Sequence, residues 1–207
     1  GFRRLRALRA LGRTACWARD LTGISRTGLE RLLLGLHDHL ATRHLNDLEK
    51  GMALSRLSAH VDRETLLREY MPLLGLGRRD ELLTVHLALT EAETPVRTAV
   101  AEGRLSLQAF QALRAWAPPD RAVVVQCIKE LNINFNKQLQ LIDFLTDLMC
   151  IESRGAEEIL GSEPMRDLLE QGRTNPPQAA ARLLEHLRRR RLPALVEAER
   201  VFRGRVA

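Results

Sequence analysis

Two amphipathic segments around a glycine corner constrain this chain more than any other feature. They run from Asp62 to Leu89 and read DRETLLREYMPLLGLGRRDELLTVHLAL. Leucines recur in the first segment at helical spacing, and Asp62 is a residue type that caps helix N-termini. Gly75 and Gly77 can supply the positive φ that a sharp turn needs. The pattern predicts two helices joined by a tight turn.

Arginines at the start of the second segment give this corner two interpretations. Arg78 and Arg79 are expected to open the second helix, with Thr84 further along it. In a helix-turn-helix, the N-terminal residues of the second helix meet base edges in the major groove. An ordinary corner between two helices, with solvated arginines, explains the same pattern. The residues alone leave both open.

Composition predicts that the rest of the chain is helical too. The 207 residues can form one or two small domains with hydrophobic cores. Hydrophobic residues make up 45% of the chain but aromatic residues only 4%, and Leu and Ala dominate. Such residues favour packed helices over sheets.

Charge is distributed unevenly along the chain, although the net charge is +6. Residues 1–60 hold eleven Arg and Lys against five Asp and Glu, and residues 172–207 hold nine against three. Residues 61–171 hold twelve against eighteen. The basic ends would therefore supply most of any non-specific attraction to DNA. The run Arg188–Arg191 either contacts phosphates or is a solvated surface.

Cysteine spacing and hydropathy indicate a cytoplasmic protein. Cys16, Cys127 and Cys150 are far apart and form no CxxC pair, which predicts buried thiols rather than disulfides or a zinc site. No apolar run reaches the roughly 18 residues of a membrane span. The basic N-terminus is interrupted by arginines and is not a signal peptide. We expect Gly1 to be the cut end of a longer protein.

Helix-start signals predict the remaining elements. Thr27 with Glu30 and Asn46 with Glu49 form capping boxes. A short strand is expected over residues 14–21. Further helices are predicted from Thr94–Pro95 to Gly103, from Ser106, from Pro119, from Asn134 or Asn136, and over Pro164–Gln171, Pro177–Arg190 and Pro193–Phe202.

The first residues form a candidate phosphate site. Gly1 precedes a predicted helix that carries Arg3 and Arg4 and ends near Gly12. Unpaired N–H groups and the helix dipole both favour an anion at such a terminus. A solvated basic helix is the alternative interpretation.

Three histidines within residues 37–44 suggest a metal site only superficially. His37 and His39 are two residues apart and do not share a helix face. A third and a fourth ligand are also missing. We therefore predict a polar loop between helices and no metal.

Three blocks in order resemble the ParB/RepB family of partition proteins. Residues 1–12, GFRRLRALRALG, resemble its GERR-type box, and residues 44–54, HLNDLEKGMAL, resemble its LNPIEEA-type segment. LLREYMPLLGLGRRDELLTVHLAL followed by AVAEGRLSLQAFQAL is similar to the family's helix-turn-helix and the helix pair after it. The resemblance covers roughly residues 1–150.

The resemblance implies a fold and a domain division. It implies a mostly α, multi-helical helix-turn-helix DNA-binding domain over residues 46–152. Residues 1–45 would be the C-terminal remnant of an α+β N-terminal domain, and residues 153–207 a helical C-terminal tail. It also implies a homodimer, a partition ATPase as partner and, in many family members, a CTP-dependent sliding clamp.

The nucleotide motifs of the family are incomplete in this chain. Phe2 replaces the glutamate of the GERR-type box. The ENxQR-type box aligns with residues 38–42 and keeps only a carboxylate, unless Arg43 takes the arginine's place. We predict no cofactor here and no CTP hydrolysis, although the full-length protein could still bind CTP.

The prediction from sequence is a sequence-specific double-stranded DNA-binding protein, not an enzyme, acting in plasmid or chromosome partition or in related transcriptional regulation. It would be cytoplasmic, associated with the nucleoid and independent of membranes. Alternatives are a nucleotide-dependent enzyme that shares the N-terminal fold, similar to a serine kinase, and a helical protein-interaction adaptor. The expected DNA-binding residues are Arg78, Arg79, Thr84, Arg188 and Arg189, and the expected phosphate-binding residues are Gly1, Arg3, Arg4 and Arg43.

Overall fold

The computed structural model describes residues 2–18, 27–172 and 174–193, apart from the side chains of Phe2, Arg3 and Gln171. This part of the chain is mostly helical and contains no strand. Its elements are α1 (Phe2–Ala10), α2 (Gly28–Thr42), α3 (Asp47–Leu57), α4 (Arg63–Thr65), a π-helix (Leu66–Tyr70), α5 (Met71–Leu73), α6 (Asp80–Glu91), α7 (Thr94–Ala101), α8 (Leu107–Leu113), α9 (Pro118–Glu130), α10 (Phe135–Glu152), α11 (Ala156–Leu160), α12 (Glu163–Gln171) and α13 (Pro176–Arg191).

Side-chain caps begin the helices where the sequence predicted them. Thr27 Oγ1 accepts a hydrogen bond from the backbone N–H of Glu30 at 3.2 Å, and Glu30 Oε2 accepts from the N–H of Thr27 at 2.8 Å. Asn46 and Glu49 form the second capping box in the same way. Ser106 and Asn134 cap α8 and α10. These bonds satisfy N–H groups that have no partner inside the helix.

Gly75 ends α5 in the left-handed conformation, with φ +71°. Its N–H donates to Pro72 O at 2.9 Å, and the N–H of Leu76 donates to Met71 O at 2.8 Å. This pair of bonds is a Schellman motif, and glycine adopts the required φ without strain. Gly77, the other glycine predicted to turn the chain, has no positive φ.

Two hydrophobic clusters form the core, and α6 contributes to both. Leu83 belongs to the smaller cluster, which α6 forms with α2, α3 and the helical residues 63–73. Val85 and Leu89 belong to the larger cluster, which extends from α6 to α13. The position of α6 is therefore set from two sides.

Helices α3 and α6 cross with backbone contact at Gly51. A Cβ atom at this glycine would lie 2.5 Å from the carbonyl oxygen of His86 and 3.2 Å from Thr90 Cγ2. A backbone carbonyl cannot move aside as a flexible side chain can. The close approach of α3 to α6 therefore requires glycine at position 51.

Several expectations from sequence are wrong. Residues 14–18 have no regular structure instead of a strand, and residues 19–21 of that prediction lie outside the described part. Residues 37–42 are not a loop but the last turns of α2, because Leu36 and Leu40 continue its apolar stripe inward. Helix α11 was not predicted, and the predicted helix beyond Pro193 falls outside the described residues.

The prediction of buried thiols is correct only for Cys127. Burial raises the pKa of this thiol to about 12, since the thiolate loses its solvation. Cys16 and Cys150 are exposed. All three are free thiols, as their spacing predicted.

The crossing at Gly51 predicts an asymmetry between two glycine substitutions. We expect Gly51→Ala to lower the free energy of unfolding by about 1–3 kcal/mol, because the added methyl group pushes α3 away from α6. Gly35→Ala in α2 is the matched control, since its Cβ would meet no atom within 4 Å. Helix propensity should make that variant more stable by up to about 1 kcal/mol. Urea unfolding of both proteins measures the difference, and equal stability would contradict the crossing.

Candidate nucleic-acid interface

The first helical stretch of the corner, residues 63–73, begins with a side-chain cap. Asp62 Oδ1 accepts a hydrogen bond from the backbone N–H of Thr65 at 2.7 Å. That bond holds the pKa of the Asp62 carboxyl below its usual value, because it stabilises the charged form. The cap was predicted from sequence and is confirmed.

The middle of this stretch is a π-helix, in which the N–H of Met71 donates to Leu66 O, five residues back. Pro72 follows directly. Proline has no N–H to donate, and its ring crowds the carbonyl four residues before it. The wider π turn accommodates both effects without ending the helix.

The sequence led us to expect that Arg78 and Arg79 open the second helix. In the structure, both lie in the turn before α6. Helix α6 begins at Asp80, and Arg79 occupies the N-cap position in extended conformation without a side-chain cap. Both arginine side chains are exposed. Within the described residues, neither guanidinium forms a hydrogen bond or an ion pair.

Arg63 ties the two helices of the corner together. Its Nε donates to Asp80 Oδ1 at 2.6 Å and its Nη2 donates to Thr84 Oγ1 at 2.7 Å. The bond to Arg63 lowers the pKa of the Asp80 carboxyl. Thr84, a predicted DNA contact, is therefore half-buried and held by Arg63. In the sequence, the opposite charges of Arg63 and Asp80 stand at the starts of the two helices. Because 17 residues separate them, the sequence alone did not indicate that they pair.

The exposed side of α6 is acidic. Asp80, Glu81 and Glu91 are all exposed, and the helix contains no Lys or Arg. Arg63 compensates the charge of Asp80. The positive charge of the corner that remains uncompensated within the described residues is therefore concentrated at Arg78 and Arg79, beside the helix N-terminus.

His86 connects α6 to the start of α3 from a fully buried position, with 0% of its side chain exposed. Its Nδ1 lies 2.8 Å from Leu82 O, so this nitrogen carries the hydrogen that the carbonyl accepts. Its Nε2 lies 3.7 Å from Asp47 Oδ1 and has no hydrogen-bond partner among the described residues. The pKa of the Asp47 carboxyl is lowered chiefly by His86; burial opposes this, and Lys50 adds a lowering effect that is smaller than the effect of burial. Sequence analysis treated His86 only as part of an apolar face.

The lowered pKa of Asp47 predicts a pH-dependent stability. A carboxyl with a depressed folded-state pKa stabilises the fold above its unfolded value near pH 4, and this stabilisation is lost as the pH falls through the folded value. We expect Asp47→Asn to lower the free energy of unfolding at about pH 6 by a few tenths to about 1 kcal/mol, because the 39% exposed carboxylate is screened by solvent. Urea unfolding between about pH 6 and pH 2.5 measures the difference, which should close at the acid end. Asp167→Asn, at an exposed position of α12, is the control. An identical pH profile for both variants would contradict the role of His86.

The arginine run at the end of α13 packs against α10. Arg190 forms two hydrogen bonds with Glu152. Arg191 pairs with Asp143 at 3.0 Å and with Asp147, and its guanidinium lies 5.2 Å from the centre of the Phe144 ring. Neither phosphate binding nor simple solvation describes these two arginines, because they hold α13 on α10.

The two members of the run that were predicted to contact DNA pair within α13. Arg189 contacts Glu185 at 3.0 Å and is 65% exposed. Arg188 lies 4.0 Å from the same carboxylate. Glu185 thus compensates part of the charge of both side chains.

The contacts of the run predict unequal effects of two alanine substitutions. We expect Arg190→Ala to lower the free energy of unfolding by about 1–3 kcal/mol, because Glu152 is largely buried and would lose its partner. Arg189→Ala, the control, should cost only a few tenths of a kcal/mol, as for other exposed pairs on one helix. Thermal and urea unfolding measure both values. A larger effect of the Arg189 substitution would show that the run is not a clamp between α13 and α10.

Of the residues predicted to bind a phosphate or nucleotide, only Arg4 and Arg43 have side chains in the described part of the chain. Gly1 and the side chain of Arg3 lie outside it, and Arg4 is exposed on α1. Arg43 forms a two-pronged pair with Glu49, with both N–O distances at 2.7 Å. The Arg43 guanidinium therefore links the end of α2 to the start of α3.

Comparisons with known proteins add no family. The chain matches no protein-family model, no curated protein and no solved structure. Among the described residues, no three His, Cys, Asp or Glu side chains are grouped as metal ligands. None of the described helices combines the length and the apolar character needed to cross a membrane.

Proposed function

We propose that this chain is a sequence-specific double-stranded DNA-binding protein of the helix-turn-helix class, of ParB type, that acts in partition or in related transcriptional regulation. The observation that carries the proposal is the pair Arg78 and Arg79. Both side chains are exposed and without an ionic partner in the described residues, and they directly precede α6. Helix α6 would be the recognition helix.

The support around these arginines suits recognition. Helix α6 is held by the Gly51 crossing and by Arg63, so the two guanidinium groups extend from a fixed base. An arginine can donate two parallel hydrogen bonds to O6 and N7 of guanine in the major groove. A fixed base reduces the conformational entropy that such contacts cost.

The resemblance to the partition family supplies the finer parts of the proposal. They are a centromere-like or operator site, a homodimer, a partition ATPase partner and association with the nucleoid. Because many acidic residues surround the corner, the basic N- and C-terminal segments would provide the non-specific attraction to phosphates.

Two arginine substitutions test the proposal. A duplex selected from a random library by the protein itself serves as the probe, and fluorescence anisotropy at fixed salt measures affinity. We expect Arg78→Ala and Arg79→Ala each to weaken specific binding by about 1–3 kcal/mol, because each removes a contact to a guanine edge. Arg78→Lys and Arg79→Lys should keep the attraction to phosphates but lose discrimination between bases. An ammonium group lacks the planar set of N–H donors that a guanidinium presents to guanine.

Arg114→Ala is the matched control for these variants. Its side chain is exposed on the turn after α8, and it forms no ion pair within the described part of the chain. The Arg114→Ala variant should bind the selected duplex with the same affinity as the parent protein. Parent-like affinity of both corner variants would exclude α6 as the recognition helix.

A helical protein-interaction adaptor is the second candidate, and the acidic exposed side of α6 favours it. Neutralising this side by the double substitution Glu81→Gln and Glu91→Gln separates the two functions. A DNA-binding protein should bind the duplex equally or more tightly, because repulsion from phosphates is removed. An adaptor that uses this side for a basic partner would lose that partner and show no specific DNA affinity.

A further inference from the structure

Two adjoining cavities form a groove on the surface of α2, α3 and α7. It consists of two cavities of about 590 and 400 Å3, the first between α3 and α7 and the second between α2 and α3. Met52 and Arg56 line both cavities, so the two join across α3. These residues are four apart and share one face of the helix.

The floor of the groove is partly apolar, since threonines and Ser55 also line its α3–α7 half. Leu48 and Ala101 line one half, and Leu36 and Leu45 line the other. Met52 stands between them with 43% of its surface exposed. An unbranched, polarisable methionine side chain adapts to irregular apolar surfaces, which is why binding grooves for helices use it.

The rim of the groove carries uncompensated positive charge. Arg31 and Arg56 are exposed and form no ion pair within the described residues. Arg97 donates only to neutral groups, Thr90 O at 3.3 Å and Thr94 Oγ1 at 3.2 Å, so its charge also stays uncompensated.

Both carboxylates that line the groove are already paired. Glu49 binds Arg43, and Glu102 lies 3.4 Å from Lys129. The groove therefore presents an apolar floor between arginines and no unpaired acid to repel an anionic partner.

We propose that this groove binds an acidic amphipathic helix of a partner protein. Apolar side chains at positions i, i+3 or i+4, and i+7 of such a helix would lie on the Met52 floor. Its flanking carboxylates would pair with Arg31, Arg56 and Arg97. A DNA backbone could pair with the same arginines but would leave the apolar floor unfilled.

The groove is separate from the proposed DNA contact. Thr90, near the C-terminal end of α6, lines the groove, whereas Arg79 precedes the N-terminal end of the same helix. The helical rise places the two residues roughly 16 Å apart. Binding in the groove is thus independent of the proposed function, and either can fail alone.

The probe is a fluorescein-labelled helical peptide of about 18 residues, with leucines at the i, i+3, i+4 and i+7 positions and glutamates on the other faces. A second peptide carries lysines in place of glutamates, and a third has the composition of the first in scrambled order. Fluorescence anisotropy with the whole chain measures binding. We expect the acidic helix to bind at least about tenfold more tightly than either of the others, because only it matches both the floor and the rim.

Substitutions locate the site. Arg56→Ala and Met52→Ala should each weaken peptide binding by about fivefold or more, since they remove a rim charge and the centre of the floor. Gly35→Trp should block the α2–α3 half, whereas Gly35→Ala should bind as the parent does, because the space beside Gly35 is open. Circular dichroism melting confirms that each variant is folded.

Three outcomes would overturn the proposal. The first is equal binding of the acidic and scrambled peptides. The second is peptide affinity that is unchanged in both Arg56→Ala and Met52→Ala. The third is loss of duplex affinity in Arg31→Ala and Arg56→Ala without any effect on the peptide, which would make the groove a phosphate-contacting surface. Loss of duplex affinity in the Arg78 and Arg79 variants alone leaves the groove proposal standing.

Discussion

Close contact between α3 and α6 at Gly51 is the constraint on which the rest of the structure depends. Helix α6 packs in both hydrophobic clusters, so its position relates the N-terminal helices to the C-terminal ones. The missing side chain lets the α3 backbone reach the His86 carbonyl. The same approach brings Asp47 within 3.7 Å of the buried imidazole. The position of the helix that follows the exposed arginines of the corner thus depends on one residue in another helix.

Opposite charges that are segregated along the chain meet within the fold. The basic C-terminal segment and the acidic middle form ion pairs where α13 lies on α10. Arg43 also pairs with Glu49 between α2 and α3, although both residues belong to the basic N-terminal segment. The excess of positive charge at the C-terminal end is therefore smaller at the surface than the sequence suggests. Among the described arginines that stay uncompensated are Arg78 and Arg79 at the corner and Arg31 and Arg56 at the groove.

Most helices were predictable because their signals are local. Contacts between residues that are distant in sequence were not predictable. Capping boxes, Schellman glycines and apolar stripes involve residues within one or two turns, so reading the sequence was sufficient to place them. The need for glycine at position 51 depends on a carbonyl 35 residues away, and no periodicity indicates it. Gln138 is similar, since it is buried and bonds the backbone of Ser106, Arg104 and Ile133. For the candidate interface, sequence identified the exposed arginines but could not show that Arg63 holds Thr84 and Asp80.

The π turn in residues 66–70 has a consequence for the register of the corner. A π turn holds about one residue more than an α turn, so side chains before it are rotated by roughly 100° relative to a continuous α-helix. Arg63 lies before this turn, and the apolar residues Met71 and Leu74 lie after it. Deleting one residue within the turn would restore an ordinary α-helix and turn Arg63 away from Asp80. The extra residue of the π turn thereby places Arg63, rather than Arg78 or Arg79, beside Asp80.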